Sequence, residues 1–234
     1  KMQKSKCKTT CQKLKIKIKE AFVLLIIVLL PFSASAAELK DVVDNLQQRY
    51  EKIRDYQADF SQEAVLKLGQ TTEKAFGKIY VKKPDMMRWD YDKPRRQQII
   101  INKSEIIIYV PDEKQVMKDR APQGSVNMTS FITNIARIRE DFNIAFYQNK
   151  KESNSGKYFL ELTPKKEGMN ISKAVIEVSE KDFLIQKLSI TDLQGNITNV
   201  SFLNIRIDAG IKDSLFAFKI PKGVEVIERP KAQK

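Results

Sequence analysis

The side chains that most often carry enzyme chemistry are scarce in this sequence. Its 234 residues include no histidine, the commonest general base and metal ligand. Both cysteines, Cys7 and Cys11, stand near the start of the chain. No G-x-S-x-G motif occurs, and no S-x-x-K stands near a strand-to-helix turn, so a serine nucleophile lacks a recognisable base. The sequence therefore predicts a protein that is not an enzyme and that needs no metal or cofactor.

Carboxylates are plentiful, but their spacing does not form a catalytic pair. Asp85, Asp92 and Asp112 stand in predicted turns, where aspartate is common because its side chain bonds to nearby backbone. A glycosidase needs two carboxylates that face each other across a cleft, and no local pattern selects two. Glycine-rich phosphate loops and EF-hand loops are absent as well. Solvated turn residues are the better interpretation.

The first 36 residues have the pattern of a secretory signal peptide. A lysine-rich head precedes the apolar run Ala21–Phe32, and the small residues Ala34–Ala36 follow as an A-x-A cleavage site. The alternative, a transmembrane anchor, would need about 20 apolar residues, more than this run supplies. We expect cleavage after Ala36. Residues 37–234 should then form a single exported, soluble domain, which contains no cysteine and folds without disulfides.

The basic charge of the chain is concentrated in that leader. Removing residues 1–36 lowers the net charge from +13 to +6, because eight lysines and one glutamate lie there. The remaining basic pairs, such as Lys82-Lys83 and Arg95-Arg96, are scattered at turns and are not interleaved with aromatic residues. Nucleic-acid binding is therefore not predicted.

Hydrophobic periodicity predicts two helices and about twelve strands. Apolar residues from Leu39 to Ile53 recur at helical spacing, and so do those from Met128 to Ile138, with Asn127 as a plausible N-cap. From Tyr56 onward the period changes to two, and hairpin-length turns separate the runs, as in an antiparallel sandwich or barrel. The later predicted strands are Ala75–Val81, Met86–Tyr91, Gln97–Ile101, Glu105–Val110, Gln115–Met117, Phe142–Tyr147, Tyr158–Thr163, Ser172–Val178, Phe183–Thr191, Ile197–Ile207, Phe216–Ile220 and Val224–Ile227.

Several strands are apolar on both faces, which leaves two interpretations open. The run Ile106–Val110 and the large side chains of Trp89 and Phe131 could line a pocket under two amphipathic helices. Alternatively, they could fill a packed core with a helical plug. The pattern alone favours the packed core.

Five segments of the chain resemble one known family. Gly77–Pro94 is similar to the stretch G-x-hydrophobic-x-x-K-R-P-x-x-x-R-W-x-Y-x-x-P of the outer-membrane lipoprotein carrier protein family, LolA. Tyr56–Gln62 resembles its A-x-F-T/S-Q strand, Leu160–Lys165 its L-x-P-K, Thr191–Gly195 its D-x-x-G, and Phe216–Val224 its F-x-F-x-x-P-x-G-V. These segments span nearly all of residues 37–234 in the family's order.

The resemblance implies a mainly β fold: an unclosed antiparallel β-barrel of about eleven or twelve strands, with a helical lid over a hydrophobic cavity. It reverses the preference for a packed core. It also implies a monomeric periplasmic carrier chaperone, which takes acylated lipoproteins from an inner-membrane lipoprotein-releasing ABC transporter and delivers them to an outer-membrane acceptor. The alternative is a lipid- or protein-sensing envelope-stress regulator on the same half-barrel. The candidate ligand-binding residues are Phe76, Tyr80, Lys83, Met86, Met87, Arg88, Trp89, Met128, Phe131, Ile132 and Ile135.

One position departs from the family's pattern. Lys83 stands before Pro84, where the family commonly has arginine, whereas the Arg88-Trp89 pair is intact. By resemblance, the basic residue before Pro84 lies at a strand end beside the lid. There it would favour the closed, empty state by donating hydrogen bonds to backbone carbonyls of the lid.

Overall fold

Twelve strands and a long amino-terminal helix dominate the part of the chain that the computed structural model describes, residues 38–103, 105–120, 132, 134–147, 156–166 and 169–228. The helix, α1, spans Leu39–Lys52. The strands are β1 (Asp55–Leu66), β2 (Thr71–Lys82), β3 (Met86–Lys93), β4 (Gln97–Asn102), β5 (Glu105–Val110), β6 (Gln115–Arg120), β7 (Phe142–Phe146), β8 (Lys157–Pro164), β9 (Lys173–Ser179), β10 (Ile185–Thr191), β11 (Ile197–Ile207) and β12 (Glu225–Glu228).

All twelve strands belong to one sheet, in the order β12-β6-β5-β4-β3-β2-β1-β11-β10-β9-β8-β7. The two strands at the ends of this order do not pair with each other, so the sheet stays unclosed. Consecutive strands pair as antiparallel neighbours within each half of the sheet, and β1 joins the two halves through its antiparallel pairing with β11. The mainly β, unclosed half-barrel predicted from the sequence is confirmed. The expectation of antiparallel pairing throughout needs one correction, because β12 pairs with β6 in parallel.

Helix α1 forms because its apolar residues lie on one stripe. Val42, Val43, Leu46 and Tyr50 are buried, as the helical spacing predicts. Asp41 in the first turn and basic residues in the last turn interact favourably with the helix dipole. The stripe packs on one face of the sheet, which we call the inner face, and the two share a single core cluster.

The second predicted helix is only partly within the described residues. Ile132 is helical, Ile135–Arg137 forms a 3-10 turn, and a short helix, α2, spans Ile138–Asp141. The prediction of one helix running from Met128 to Ile138 is wrong in its last part, because Asn134 leaves helical geometry at φ −104° and ψ 15°. Residues 121–131 and 133 lie outside the described residues, so the Asn127 cap does too.

Strand alternation divides the side chains between two faces. Ile79 and Val81 of β2 and Met87 and Trp89 of β3 point to the inner face and are buried in the core cluster. Gly77 lies on the same side, where the backbone of β3 comes so close that a Cβ would lie 2.0 Å from the Asp90 carbonyl oxygen. Only glycine fits there without moving the strand.

The outer face carries a second, smaller cluster, which the carboxyl-terminal segment covers. Ile100, Ile107 and Val116 are buried there, with Phe218 and Val224 packed against them. The prediction of a strand at Phe216–Ile220 is wrong. A 3-10 turn spans Asp213–Phe216, and the residues after it, up to Ile220, form no strand. The chain crosses this outer face before β12 begins, and it therefore reaches β6 in the parallel direction.

The described residues lack two features that would suggest other functions. None of their helices is long and apolar enough to cross a membrane. They also contain no group of three or more acidic side chains placed to hold a metal ion.

Candidate functional site

Two adjoining cavities lie between the inner face of the sheet and its helical cover. The smaller, which we call the inner cavity, has a volume of about 20 Å³, roughly enough for one water molecule. Apart from two tyrosine hydroxyls, the side chains that line the inner cavity are hydrocarbon. Its lining residues are Tyr50, Ile53, Tyr56, Ala58, Ile132, Ile135, Leu184, Ile185, Leu188, Phe202, Ile205 and Ile207.

The larger space, which we call the mouth cavity, has a volume of about 390 Å³ and shares Tyr50, Ile53, Tyr56 and Ile132 with the inner cavity. It lies between the end of α1, the β2–β3 turn and the 3-10 turn of the cover. Exposed residues of the β2–β3 turn line it, so it opens to solvent. The remaining lining residues are Glu51, Arg54, Asp55, Val81, Lys82, Lys83, Pro84, Asp85, Asn134, Ala136 and Arg137.

A pair of tyrosines stands at the boundary between the two cavities. The rings of Tyr50 and Tyr56 meet edge to face, with centroids 6.5 Å apart. The Tyr50 hydroxyl accepts a hydrogen bond of 3.1 Å from the Ile185 backbone N–H, which ties α1 to β10. Burial raises the pKa of Tyr50 to about 12 and raises that of Tyr56 well above its ordinary value. Both phenols are therefore neutral over the physiological range.

Lys83 connects the strand end to the helix. Its ammonium donates to the backbone carbonyls of Tyr50 and Glu51, the latter at 3.2 Å, and its own N–H donates to the Arg54 carbonyl at 2.9 Å. Partial burial lowers the pKa of Lys83 from its ordinary value, and the nearby carboxylates of Glu51 and Asp208 oppose that shift. The contacts that the resemblance implied for this position are thus made to carbonyls at the carboxyl end of α1.

Polar contacts also join α1 to the segment that carries Ile135. The Gln47 amide donates to the Ala136 carbonyl at 2.7 Å. The Arg139 guanidinium donates to Asp44, to the Gln47 side-chain oxygen at 2.9 Å and to the Lys40 carbonyl at 3.1 Å. The Lys40 ammonium, followed by the Arg139 guanidinium, lowers the pKa of Asp44. Helix α1 and residues 134–141 together form the described cover of the inner face.

The structure brings some of the predicted site residues together under this cover. Ile132 and Ile135 are 6% and 1% exposed, and both line the inner cavity. Lys83 lines the mouth cavity. Met87 and Trp89 are buried deeper in the core, where the indole N–H lies 3.0 Å from the Met87 sulfur, and neither lines the two cavities.

Four predicted residues lie on the opposite face of the sheet, and their expected place in the cavity lining is corrected. Phe76 and Tyr80 alternate with the buried residues of β2, as Met86 and Arg88 do with those of β3. Phe76 is 45% exposed. Tyr80 lines a separate outer groove beside Lys78. Met128 and Phe131 lie outside the described residues, so their predicted role stays a prediction.

Arg88 has a structural contact instead of a cavity contact. Its Nε lies 2.8 Å and 3.0 Å from the two carboxylate oxygens of Asp90, and its Nη1 donates to the Leu215 carbonyl at 3.0 Å. Asp90 holds the guanidinium in place, and the guanidinium fastens the carboxyl-terminal segment to the outer face. The two residues of the intact Arg88-Trp89 pair therefore lie on opposite faces: Arg88 holds the carboxyl-terminal segment on the outer face, and Trp89 packs in the core of the inner face.

Several lining residues were not among the predicted site residues. The sequence places Tyr50 on the helical stripe and Tyr56 in the first strand, where period and position favour an ordinary core role. Asp55, at the first position of β1, is 6% exposed although its side chain is polar, and nothing in its sequence neighbourhood signals burial. Leu184, Ile205 and similar aliphatic residues look like any strand residue in the sequence.

An unclosed half-barrel with a covered apolar interior defines a class of protein that can enclose an apolar ligand and release it again. The sequence model of one family, described as outer membrane lipoprotein carrier protein LolA, matches residues 51–219. The chain belongs to this family.

Relatives agree with that assignment, and one solved structure agrees with the fold. An outer-membrane lipoprotein carrier protein of Methylococcus capsulatus is 30% identical over 183 residues, which is 78% of this chain and 86% of the relative. One from Actinobacillus succinogenes is 28% identical, over 84% of this chain and 90% of the relative. A crystal structure of an uncharacterized conserved protein from Thermus thermophilus has a TM-score of 0.50 at 11% identity, covering 81% of this chain and 98% of that one, and so supports the fold alone.

Proposed function

We propose that the protein is a periplasmic carrier chaperone, which binds the acyl chains of lipoproteins released from the inner membrane and delivers them to an outer-membrane acceptor. The family assignment and the carrier names of the relatives support the lipoprotein cargo. The predicted signal peptide, which lies outside the described residues, supports the periplasmic location.

The observation that carries the proposal is the construction of the cover. Ile132 and Ile135 fill the space above the sheet, while the polar contacts of Lys83, Gln47 and Arg139 hold the cover at its edges. An acyl chain gains about 0.8 kcal/mol for each CH₂ that it buries. A chain that displaces the two isoleucines would find apolar surface beneath them, and the polar contacts that it would need to break are partly exposed.

Binding can be tested with two substitutions at adjacent positions on opposite faces. Phe202 lines the floor of the inner cavity and is 8% exposed, whereas Leu203 is 58% exposed on the outer face. Phe202→Asn should lower the affinity for a tripalmitoylated cysteinyl peptide about tenfold, because an amide without a partner in an apolar site costs about 1–3 kcal/mol. Leu203→Asn should not change it. Failure of the parent protein to bind the acylated peptide in preference to the unacylated one would exclude the proposal.

Delivery requires a separate experiment. Inner-membrane vesicles that hold a labelled lipoprotein and its ATP-dependent releasing transporter are incubated with the purified protein, and the soluble fraction is then mixed with outer-membrane vesicles. We expect ATP-dependent release into the soluble fraction, followed by transfer. Tight binding of lipid without release or transfer would contradict carriage and favour the sensing alternative.

A further inference from the structure

We propose that the Tyr56 hydroxyl donates a hydrogen bond to the carbonyl oxygen of an acyl group of the cargo, at the boundary between the inner and mouth cavities. This inference rests on the proposed carrier function and adds a recognition residue to it. The apolar inner face explains how hydrocarbon is held, but each acyl chain ends in a polar ester or amide. Burial of that group is favourable only where it finds a hydrogen-bond partner.

The strand register places the Tyr56 side chain on the inner face, between the two cavities. Tyr56 of β1 is paired with Val81 of β2 and with Ile207 of β11, and directly paired residues of antiparallel strands share a face. Val81 is buried in the inner core and lines the mouth cavity, whereas Ile207 lines the inner cavity. Tyr56 belongs to both linings, so a chain that extends from one cavity into the other contacts it.

The Tyr56 hydroxyl is both accessible and free to bind. It makes no hydrogen bond within the described part of the chain, where Tyr56 is only partly buried. The side-chain polar atoms there that are both inaccessible and without a partner are Arg49 Nε and Asp55 Oδ1, so the Tyr56 oxygen remains accessible. A ligand in the cavities that Tyr56 lines can therefore reach this oxygen.

The surroundings of Tyr56 hold its ring and keep its proton. Its ring meets that of Tyr50 edge to face, and the Tyr50 hydroxyl is itself engaged by the Ile185 N–H at 3.1 Å. Burial holds the pKa of Tyr56 well above its ordinary value, so the phenol is neutral and can donate. A carbonyl oxygen has no proton and can only accept. The fold thus presents a free donor where the hydrocarbon lining gives way to polar lining.

The test compares two ligands on two proteins. One ligand is a cysteinyl peptide whose glyceryl group carries palmitoyl esters, and the other carries hexadecyl ethers of the same length, which lack the carbonyl oxygens. Tyr56→Phe removes only the hydroxyl. The ratio of ester affinity to ether affinity should be about fivefold lower in Tyr56→Phe than in the parent, or about 1 kcal/mol, as for a neutral hydrogen bond. Comparing ratios cancels the different water solubilities of the ligands.

Two substitutions serve as controls. Tyr158→Phe removes a hydroxyl from β8, where Tyr158 stacks on Phe183 outside both cavity linings, and should keep the ratio of the parent. Tyr50→Phe should also keep the ratio but should lower the melting temperature, because the Ile185 N–H loses its acceptor. Tyr56→Phe should melt at the temperature of the parent or higher, since the hydroxyl that it removes has no partner among the described residues.

Each remaining outcome would overturn the inference. Equal ratios in the parent and Tyr56→Phe would exclude the hydrogen bond. An equal loss of affinity for both ligands, together with a lower melting temperature, would assign Tyr56 a structural role. A ratio lowered as much in Tyr158→Phe would show that the effect does not belong to the cavity boundary. Binding of neither ligand by the parent would instead refute the proposed carrier function itself.

Discussion

Replacement of Lys83 by leucine should loosen the attachment of α1 to the end of β2. The Lys83 ammonium donates to the carbonyls of Tyr50 and Glu51, and a hydrogen bond from a charged donor contributes about 1.5–3 kcal/mol. Because these contacts are partly exposed, we take the lower end, about 1.5 kcal/mol, for the pair. Since about 1.4 kcal/mol corresponds to a factor of ten, the balance between covered and open states should shift about tenfold toward the open state.

Substitution by arginine should shift the balance in the opposite direction. The Lys83 ammonium already contacts both carbonyls, but a guanidinium carries more donors in a planar, fixed fork and should hold the two carbonyls more firmly. The affinity for a fluorescent apolar probe or an acyl chain should therefore decrease in the order Lys83→Leu, parent, Lys83→Arg. The rate of transfer to an acceptor should follow the reverse order, because a more open protein holds its ligand more tightly.

Lys82 provides the matched control for this series. It also lines the mouth cavity, but its ammonium contacts Ile211 and Asp213, so Lys82→Leu removes the same charge without touching α1. Probe titration measures the affinity, and a transfer assay measures the rate of delivery, for the parent protein and the three variants. Equal affinities and rates for Lys83→Leu, Lys83→Arg and the parent would mean that these hydrogen bonds do not control opening. A change in Lys82→Leu as large as in Lys83→Leu would assign the effect to charge alone.

Three further predictions concern the framework. Gly77→Ala should destabilise the fold by about 1–3 kcal/mol in urea unfolding, because its Cβ would lie 2.0 Å from the Asp90 carbonyl oxygen; an unchanged midpoint would contradict this geometry. The pKa of Tyr50 is raised to about 12 in the folded protein from an ordinary 10.0. The resulting stabilisation is fully present below pH 10, and roughly 3 kcal/mol of the free energy of unfolding should be lost as the pH rises through 12. Tyr50→Phe should lose less stability between pH 10 and pH 12. Arg139→Ala should speed amide exchange in residues 135–141 but not in the central strands, since it removes the contacts to Asp44 and Gln47.

Much of the fold could be predicted because strand and helix periods are local properties. The stripe from Val42 to Tyr50 predicts α1, and alternation with turn residues predicts the hairpins. The end of the chain could not be predicted in the same way. Phe216 and Phe218 are two residues apart, as in a strand, but they pack against the sheet without strand pairing, Phe218 in the outer cluster. Only the presence of that apolar outer surface explains the conformation, and it depends on residues about a hundred positions away.

The site was predicted less well, for two different physical reasons. Met86 and Met87 are both predicted from the sequence to bind ligand, because both are large and flexible, yet strand alternation alone places them on opposite faces. That error was avoidable from the sequence. Asp55 was not predictable, since a charged residue at a strand start normally faces solvent. Its burial arises only in the folded chain, and no local pattern in the sequence carries it.

The small volume of the inner cavity has a consequence for a carrier. At about 20 Å³ it holds no acyl chain, so a chain can enter only where Ile132 and Ile135 give way. Burying an isoleucine side chain contributes about 1.5–3 kcal/mol, and each CH₂ of the ligand contributes about 0.8 kcal/mol in return. The net affinity is thus a difference between two burials of similar kind, smaller than that of an open pocket for the same chain. A cover that binds the same apolar surface as the cargo therefore has two effects. It promotes release of the cargo, and it shields the apolar surface of the empty protein from water.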